Sequence, residues 1–216
     1  MKTAIVVGAT GLIGKSLIKQ LAECAGIAQV ITITRRKICY DNPKISNQVV
    51  DFAHLDSFSW YFKGDLLFSC LGTTKKQAGS VAAQRVVDVD YQLKVAELAA
   101  DNGVSEYFLV SSSDANGKSK NAYLQMKGEL EDKVTQLKFK RICIFQPSLL
   151  LGEREGFRFG EKLGSWILPL LCRLPLLKRY KPIYGEQVAT KMCQESLKLK
   201  TGVQRFTLDA CFPDEV

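Results

Sequence analysis

The sequence predicts an α/β protein, a doubly wound, mostly parallel sheet with helices on both faces. Short β-branched runs alternate with longer segments of helical periodicity, the order that repeated βαβ units produce. The first run passes directly into a glycine-spaced turn and a helix, Gly8-Ala9-Thr10-Gly11-Leu12-Ile13-Gly14. A chain of 216 residues, 46% hydrophobic and 24% charged, suits one domain with a real core, not a disordered or fibrous chain.

The elements follow in order. A first strand runs from Thr3 to Val7, and a helix from Leu12 to about Cys24 carries Leu17, Ile18 and Leu21 on one face. Strands are expected at Gln29 to Thr34, Gln48 to Val50 and Leu66 to Ser69, then a long helix from Ala82 to Ala100. A fifth strand, Glu106 to Ser111, a helix, Asn121 to Leu137, and a sixth strand, Arg141 to Phe145, complete the regular part. After Pro147 the pattern loosens. Gly152 to Gly160 reads as a mobile loop near a ligand, followed by helices at Glu161 to Cys172 and Glu186 to Leu197 and a last strand at Gln204 to Asp209. The apolar stretch Leu163 to Leu177 is too short to span a membrane and is broken by Pro169, Arg173 and Pro175, so a buried or interface helix is expected there.

Charge and cysteine usage narrow the function classes. The net charge of +8 is distributed over short, separated clusters, Lys75-Lys76, Lys118 to Lys120 and Lys178 to Lys181, with no basic tail or aromatic-interleaved stripe, which disfavours nucleic acid as a partner. The seven cysteines lack the paired spacing of a zinc site or a redox dithiol, so no metal is expected. Cysteines in apolar contexts suit a reducing compartment, and the N-terminus runs into the glycine turn without a cleavable signal, so a cytoplasmic location is expected. His54, the sole histidine, has no Ser or Cys spacing that would make it a base and reads as a surface residue.

The glycine turn sits where a dinucleotide pyrophosphate meets free backbone N–H groups and the positive end of a helix dipole. Gly8 permits the turn, Gly11 lets backbone approach phosphate, and Gly14 allows helix to pack on strand; Thr10, Leu12 and Ile13 complete the expected contact. This makes the fold Rossmann-type. Where an NAD-specific site places a carboxylate, at the end of the second strand, the chain has Thr34-Arg35-Arg36-Lys37. A carboxylate repels a 2′-phosphate and a guanidinium clamps it, so NADP(H) is favoured, with NAD(H) as the other option. Asp51-Phe52, ending the third strand, is a candidate adenine contact.

Tyr123 and Lys127 stand four apart and so share a helix face. An ammonium beside a phenol favours phenolate, which equips Tyr123 to exchange a proton with a carbonyl/alcohol pair while Lys127 also holds the nicotinamide ribose. Upstream, Ser111-Ser112-Ser113 ends the fifth strand, where a hydroxyl can orient the same substrate oxygen.

Together with Ser69 to Thr74, Asp88-Val89-Asp90-Tyr91 and Gln146 to Gly152, these motifs resemble the atypical short-chain dehydrogenase/reductases, the branch of the Tat-interacting protein oxidoreductases and their bacterial homologues, along nearly the whole chain. The resemblance implies catalytic roles for Ser112, Tyr123 and Lys127, with Ser111 and Ser113 as rivals for the serine. It adds Cys70, Leu71, Gly72, Thr73 and Pro147 to the cofactor contacts, Cys70 as a small residue that lets the cofactor pass. Asp90 stands where the superfamily often has Asn, and Gln146 where it often has Arg, which touches the proton relay and part of the substrate pocket. The expectation is a single NAD(P)-binding domain over residues 1–216, with 147–216 contributing the substrate side and a homodimer compatible with it. Three functions compete: hydride transfer between NADP(H) and a small carbonyl or alcohol, NADP(H) sensing without turnover, and nucleotide-sugar epimerisation with bound NAD.

Overall fold

In the computed structural model, residues 1–152 and 179–214 are described. The readings of a loop from Gly152, a helix from Glu161 and an apolar stretch from Leu163 fall on residues 153–178, outside the described residues.

The strands β1 (Lys2–Val7), β2 (Ile27–Thr34), β3 (Ile45–Val49), β4 (Leu66–Ser69), β5 (Glu106–Val110) and β6 (Arg141–Gln146), with β9 (Gly202–Thr207), form one sheet in the order β3-β2-β1-β4-β5-β6-β9. Every pairing in it is parallel. A two-stranded pair, β7 (Leu150–Leu151) and β8 (Ile183–Tyr184), stands apart. The helices are α1 (Leu12–Glu23), α2 (Lys75–Ala78), α3 (Val81–Arg85), α4 (Tyr91–Asp101), α5 (Ala122–Val134) and α6 (Gly185–Ser196).

Alternation along the strands decides the layers. In β1, Ala4 and Val6 join Leu17, Leu21, Phe68, Phe108, Val188 and Met192 under α1 and α6. Ile5 and Val7 join Val95, Ala99, Leu109, Leu130 and Val134 under α4 and α5. A strand covered on both faces needs an unbroken apolar run, which Ala4-Ile5-Val6-Val7 supplies, each fully buried. The doubly wound, mostly parallel sheet expected from the sequence is the one observed.

Two elements differ most from expectation. Strand β3 begins at Ile45, ahead of Gln48, because its half-exposed Ser46, Asn47 and Gln48 pair through backbone at the sheet edge and carry no apolar signal. The long helix expected from Ala82 is interrupted between α3 and α4 by a π-helical turn, Val86–Asp90. Single π turns inside helices often sit at functional sites.

Because the strands are parallel, all their C-terminal ends lie along one edge. Strand order reverses between β1 and β4, and the crevice outside that switch point is where open α/β sheets bind ligands.

Candidate active site at the sheet switch point

The site starts from the turn between β1 and α1. Gly8 has φ +80°, and a Cβ there would lie 2.4 Å from the carbonyl carbon and oxygen of Cys70, so only glycine lets the turn nest against the end of β4. At Gly14 a Cβ would lie 2.2 Å from the Gly8 carbonyl oxygen, which locks α1 to the turn. Gly11 is less crowded, its nearest neighbour 3.3 Å away. Gly11 also N-caps α1 without a side chain, and no acidic residue occupies the first turn, so the leading N–H groups are left to whatever enters the crevice. Ile13 is a core residue and can offer a ligand only its backbone.

The chain after β2 is pinned. Asn47 of β3 donates through Nδ2 to Thr34 Oγ1 at 2.8 Å and Thr32 Oγ1 at 3.0 Å, and its Oδ1 accepts from the Ile38 N–H at 2.9 Å. The Thr34 hydroxyl donates to the Arg36 carbonyl at 2.7 Å. Arg35 and Arg36 are exposed on this braced segment, and neither forms an ion pair among the described residues. Asp51 accepts from the Ala53 N–H at 2.9 Å and pairs with His54 Nδ1 at 2.8 Å; His54 and that N–H hold its carboxyl below the ordinary range. The Phe52 ring is buried, its centroid 5.5 Å from that of Tyr91, so it packs in the core.

Beyond β4, burial pushes the Cys70 thiol up to about 12, which keeps it protonated and unreactive, as a small passing residue should be. Leu71, Gly72 and Thr73 continue this loop. The buried Asp88 of the π turn accepts the Thr73 N–H at 3.0 Å and Gln84 Nε2 at 3.1 Å, while Gln92 accepts from Ser69 Oγ at 2.7 Å. Sequence reasoning passed over this brace. Its signal was Gln84, Asp88 and Gln92, three polar residues at four-residue spacing on a face that should be apolar. Asp90 is exposed, 4.0 Å from Arg85.

At the ends of β5 and β6 the serines separate. Ser111 is buried and donates to Glu131, which also accepts from Gln146 Nε2 at 2.9 Å and lies 3.7 Å from Arg205. Gln146 accepts from Thr207 at 2.7 Å. Gln146 is therefore committed to a buried network, with the positive charge beside Glu131 coming from Arg205 on β9. Ser112 and Ser113 are half-buried and their hydroxyls have no hydrogen-bond partner among the described residues; the Ser113 N–H donates to the Pro147 carbonyl at 3.1 Å.

Helix α5 is N-capped by Asn121, whose Oδ1 accepts from the Tyr123 N–H at 3.0 Å. A Cβ on Gly128 would lie 2.2 Å from the Gly117 nitrogen, so the loop after the serines runs directly against α5. Tyr123 is 37% exposed while Lys127 is only 3% exposed, its Nζ 5.9 Å from the Tyr123 ring centroid. Among the described residues Lys127 makes no hydrogen bond or ion pair. Leu12 meets the far segment: a Cβ on Gly152 would lie 2.4 Å from its Cδ1, and one on Gly185 2.6 Å from its Cγ.

The profile of the NAD dependent epimerase/dehydratase family matches residues 4–138. Rat Protein HTATIP2 is 42% identical over 167 residues, 76% of this chain and 69% of the relative. "Protein FMP52, mitochondrial" of Meyerozyma guilliermondii is 37% identical over 198 residues, 86% of this chain and 82% of the relative. The solved Bordetella bronchiseptica enzyme WbmH, in complex with NAD+, shares the fold with a TM-score of 0.72 at 15% identity, covering 96% of this chain and 76% of that one. The mitochondrial naming of FMP52 corrects the cytoplasmic location expected from the sequence. Thiols in apolar surroundings, on which that expectation rested, do not distinguish one reducing compartment from another. With the profile covering most of the chain and HTATIP2 close along most of its length, the chain belongs to the NAD dependent epimerase/dehydratase family, within the atypical short-chain dehydrogenase/reductases.

Proposed function

We propose that the protein is an NADP(H)-binding oxidoreductase that moves a hydride between the nicotinamide and a small carbonyl or alcohol. The observation that carries the reading is Lys127. Its side chain is nearly all buried, yet among the described residues its ammonium forms no hydrogen bond or ion pair, which leaves it to a ligand. Ribose hydroxyls are such a ligand. The glycine turn, the uncapped start of α1 and the two exposed arginines fit the same ligand from its other end. Arg35 and Arg36 favour the 2′-phosphate form, NADP(H), over NAD(H).

The nicotinamide supplies or accepts the hydride. Tyr123 gives or takes the proton at the substrate oxygen, and Lys127 stabilises the negative charge that develops on the phenol oxygen as the proton leaves. Ser112 orients the substrate oxygen, with Ser113 as its rival and Ser111 withdrawn into the Glu131 network. Residues 1–216 act as one unit in this reading, and 147–216 furnish the substrate side.

Two observations bear on the competing readings. The family's epimerase members favour a reaction with tightly held NAD, and the arginines oppose it. Sensing without turnover drew on Asp90 and Gln146, and both have structural partners here that leave Ser112, Tyr123 and Lys127 untouched. The test is a carbonyl and alcohol screen followed through NADPH absorbance, beside native mass spectrometry of the purified protein. Turnover that depends on Tyr123 supports the reading. NADPH binding with no turnover across the screen, together with altered partner binding, favours sensing, and co-purified NAD favours epimerisation.

A further inference from the structure

Two thiols far apart in the sequence meet in the fold. Cys24 caps the C-terminal end of α1 and Cys193 lies in the last turn of α6; both are free, half-buried and packed against the core that the two helices share. The helices lie side by side with like ends together, since Gly185, at the start of α6, rests on Leu12, at the start of α1. At the other end, away from the glycine turn, a Cβ on Gly26 would lie 3.7 Å from Cys24 Sγ and 2.9 Å from Cδ2 of Leu197. Leu197 follows Cys193 by four residues, so the two share a face of α6, the face turned to Cys24. Lys2 pins both backbones, its N–H donating to the Gly26 carbonyl at 2.9 Å and its Nζ to the Ser196 carbonyl at 3.1 Å. The Cys193 thiol is pushed up to about 11, by burial and then by the Cys24 thiol, with which it shares a hydrogen bond. Burial pushes Cys70, Cys143 and Cys211 up to about 12, and no second thiol contributes at any of them.

We infer that Cys24 and Cys193 form a dithiol site, which a low-molecular-weight disulfide of the oxidised glutathione class converts into a bond stapling α1 to α6. Nothing in the spacing of the two cysteines along the chain announces the pair, because the packing of α6 on α1 makes it. The Cys24 thiol loses its proton to water and its sulfur attacks one sulfur of the reagent. One small thiolate leaves and takes up a proton, and a mixed disulfide remains on Cys24. Cys193 then attacks the Cys24 sulfur and displaces the second small thiolate, which takes the Cys193 proton. Two protein thiols are oxidised, and one small disulfide is reduced to two thiols. A thiol held protonated suits the second step, where the target is adjacent and proximity offsets a low thiolate content. Joining residues so far apart in sequence constrains the unfolded chain, so the oxidised protein is the more stable form.

The test takes the full chain, reduced and desalted, through exposure to oxidised glutathione, then alkylation, proteolysis and mass spectrometry to locate the thiols, with thermal melts alongside. The folded protein should yield a Cys24–Cys193 cross-linked peptide and two fewer alkylatable thiols than the seven of the sequence. Its thermal midpoint should stand about 5 °C or more above that of the reduced protein, and dithiothreitol should reverse the rise. Cys193→Ser should stop at a glutathione adduct on Cys24, with no gain in midpoint. A lasting glutathione adduct on Cys24 of the unaltered protein, without the cross-link, overturns the inference. So does a link from either cysteine to a different thiol, or no change at either while the protein stays folded. A cross-link that leaves the midpoint level or lower overturns it too, because the bond would then form under strain or in unfolded chains. The peptide map reads the unaltered protein, so the outcome is decided even if Cys193→Ser fails to fold.

Discussion

The two ends of the sheet treat their buried cations in opposite ways. At the N-terminal ends of the strands, Arg141 is fully buried yet bonded to Glu195 at 2.8 Å, to the Glu195 carbonyl at 2.6 Å and to Gln204 at 2.9 Å. Glu106 bridges Lys2 at 2.7 Å and Arg141 at 3.4 Å, and Lys198 reaches both Glu195 and Asp214 at 2.6 Å. At the C-terminal ends, Lys127 is nearly as buried yet forms no hydrogen bond or ion pair among the described residues, and among them Arg35 and Arg36 form no ion pair. Burial alone does not separate structural charges from functional ones; satisfaction does. A closed network fixes the fold, and in the proposed reading the open one is completed by a ligand.

The contrast can be broken or sharpened by substitution. The largest effect belongs to the open end. Tyr123→Phe should lower turnover by about two to four orders of magnitude with cofactor affinity unchanged, because only a positioned proton donor is removed. Lys127→Ala should lower both, and steady-state rates beside calorimetry separate the two patterns. An unchanged rate in Tyr123→Phe would remove the catalytic assignment.

At the closed end, Glu195→Ala removes the nearer of the two carboxylates on a buried guanidinium and should cost about 3 kcal/mol of stability, read as the shift in urea midpoint, without altering cofactor affinity of the folded fraction. A loss of NADPH affinity there would show that the ends are coupled.

Next in size, Arg35→Ala combined with Arg36→Ala should cut NADPH affinity about tenfold or more and leave NADH nearly unchanged, since charge-assisted bonds are worth about 1.5–3 kcal/mol each. Calorimetry finding no difference between the two cofactors in the unaltered protein would contradict it.

The smallest effect is acid sensitivity. Bonding to Lys191 and Lys198 holds the Asp214 carboxyl at about 2, below its ordinary 3.8. A depressed folded value stabilises the protein above the unfolded value, so that contribution is present at neutral pH and fades as pH falls from about 4 towards 2. Asp214 is exposed, which screens the effect. Asp214→Asn should flatten the fall in urea midpoint over that window and change nothing at the cofactor site.

How much of this the sequence disclosed depended on the kind of signal each residue leaves. The strands with buried runs were legible, Leu66–Ser69 to the residue and the first, fifth and sixth within one, and so was the glycine turn, because steric need restricts Gly8 and Gly14 to one residue type. Strand β3 was only half legible, since an edge strand of Ser, Asn and Gln pairs through backbone that every residue possesses. The Tyr123 and Lys127 pairing followed from helical spacing, but nothing local separates Ser111 from Ser112; the difference is Glu131, twenty residues away and on another element. Asn47 was invisible for the same reason, its role lying in three bonds to another strand and the segment that follows it.

The packing of Gly152 and Gly185 on Leu12 constrains anyone who would exchange segments between relatives. A chimaera that imports the stretch between β7 and β8 arrives through two junctions that both rest on one leucine of the glycine turn. A donor carrying any side chain at either junction drives a carbon into Leu12, and the displaced leucine drags on the glycine turn itself. Grafts cut outside positions 152 and 185, keeping both native glycines, preserve that joint. Grafts cut inside the donor's own glycines transplant it only if the donor has a leucine-sized partner to match.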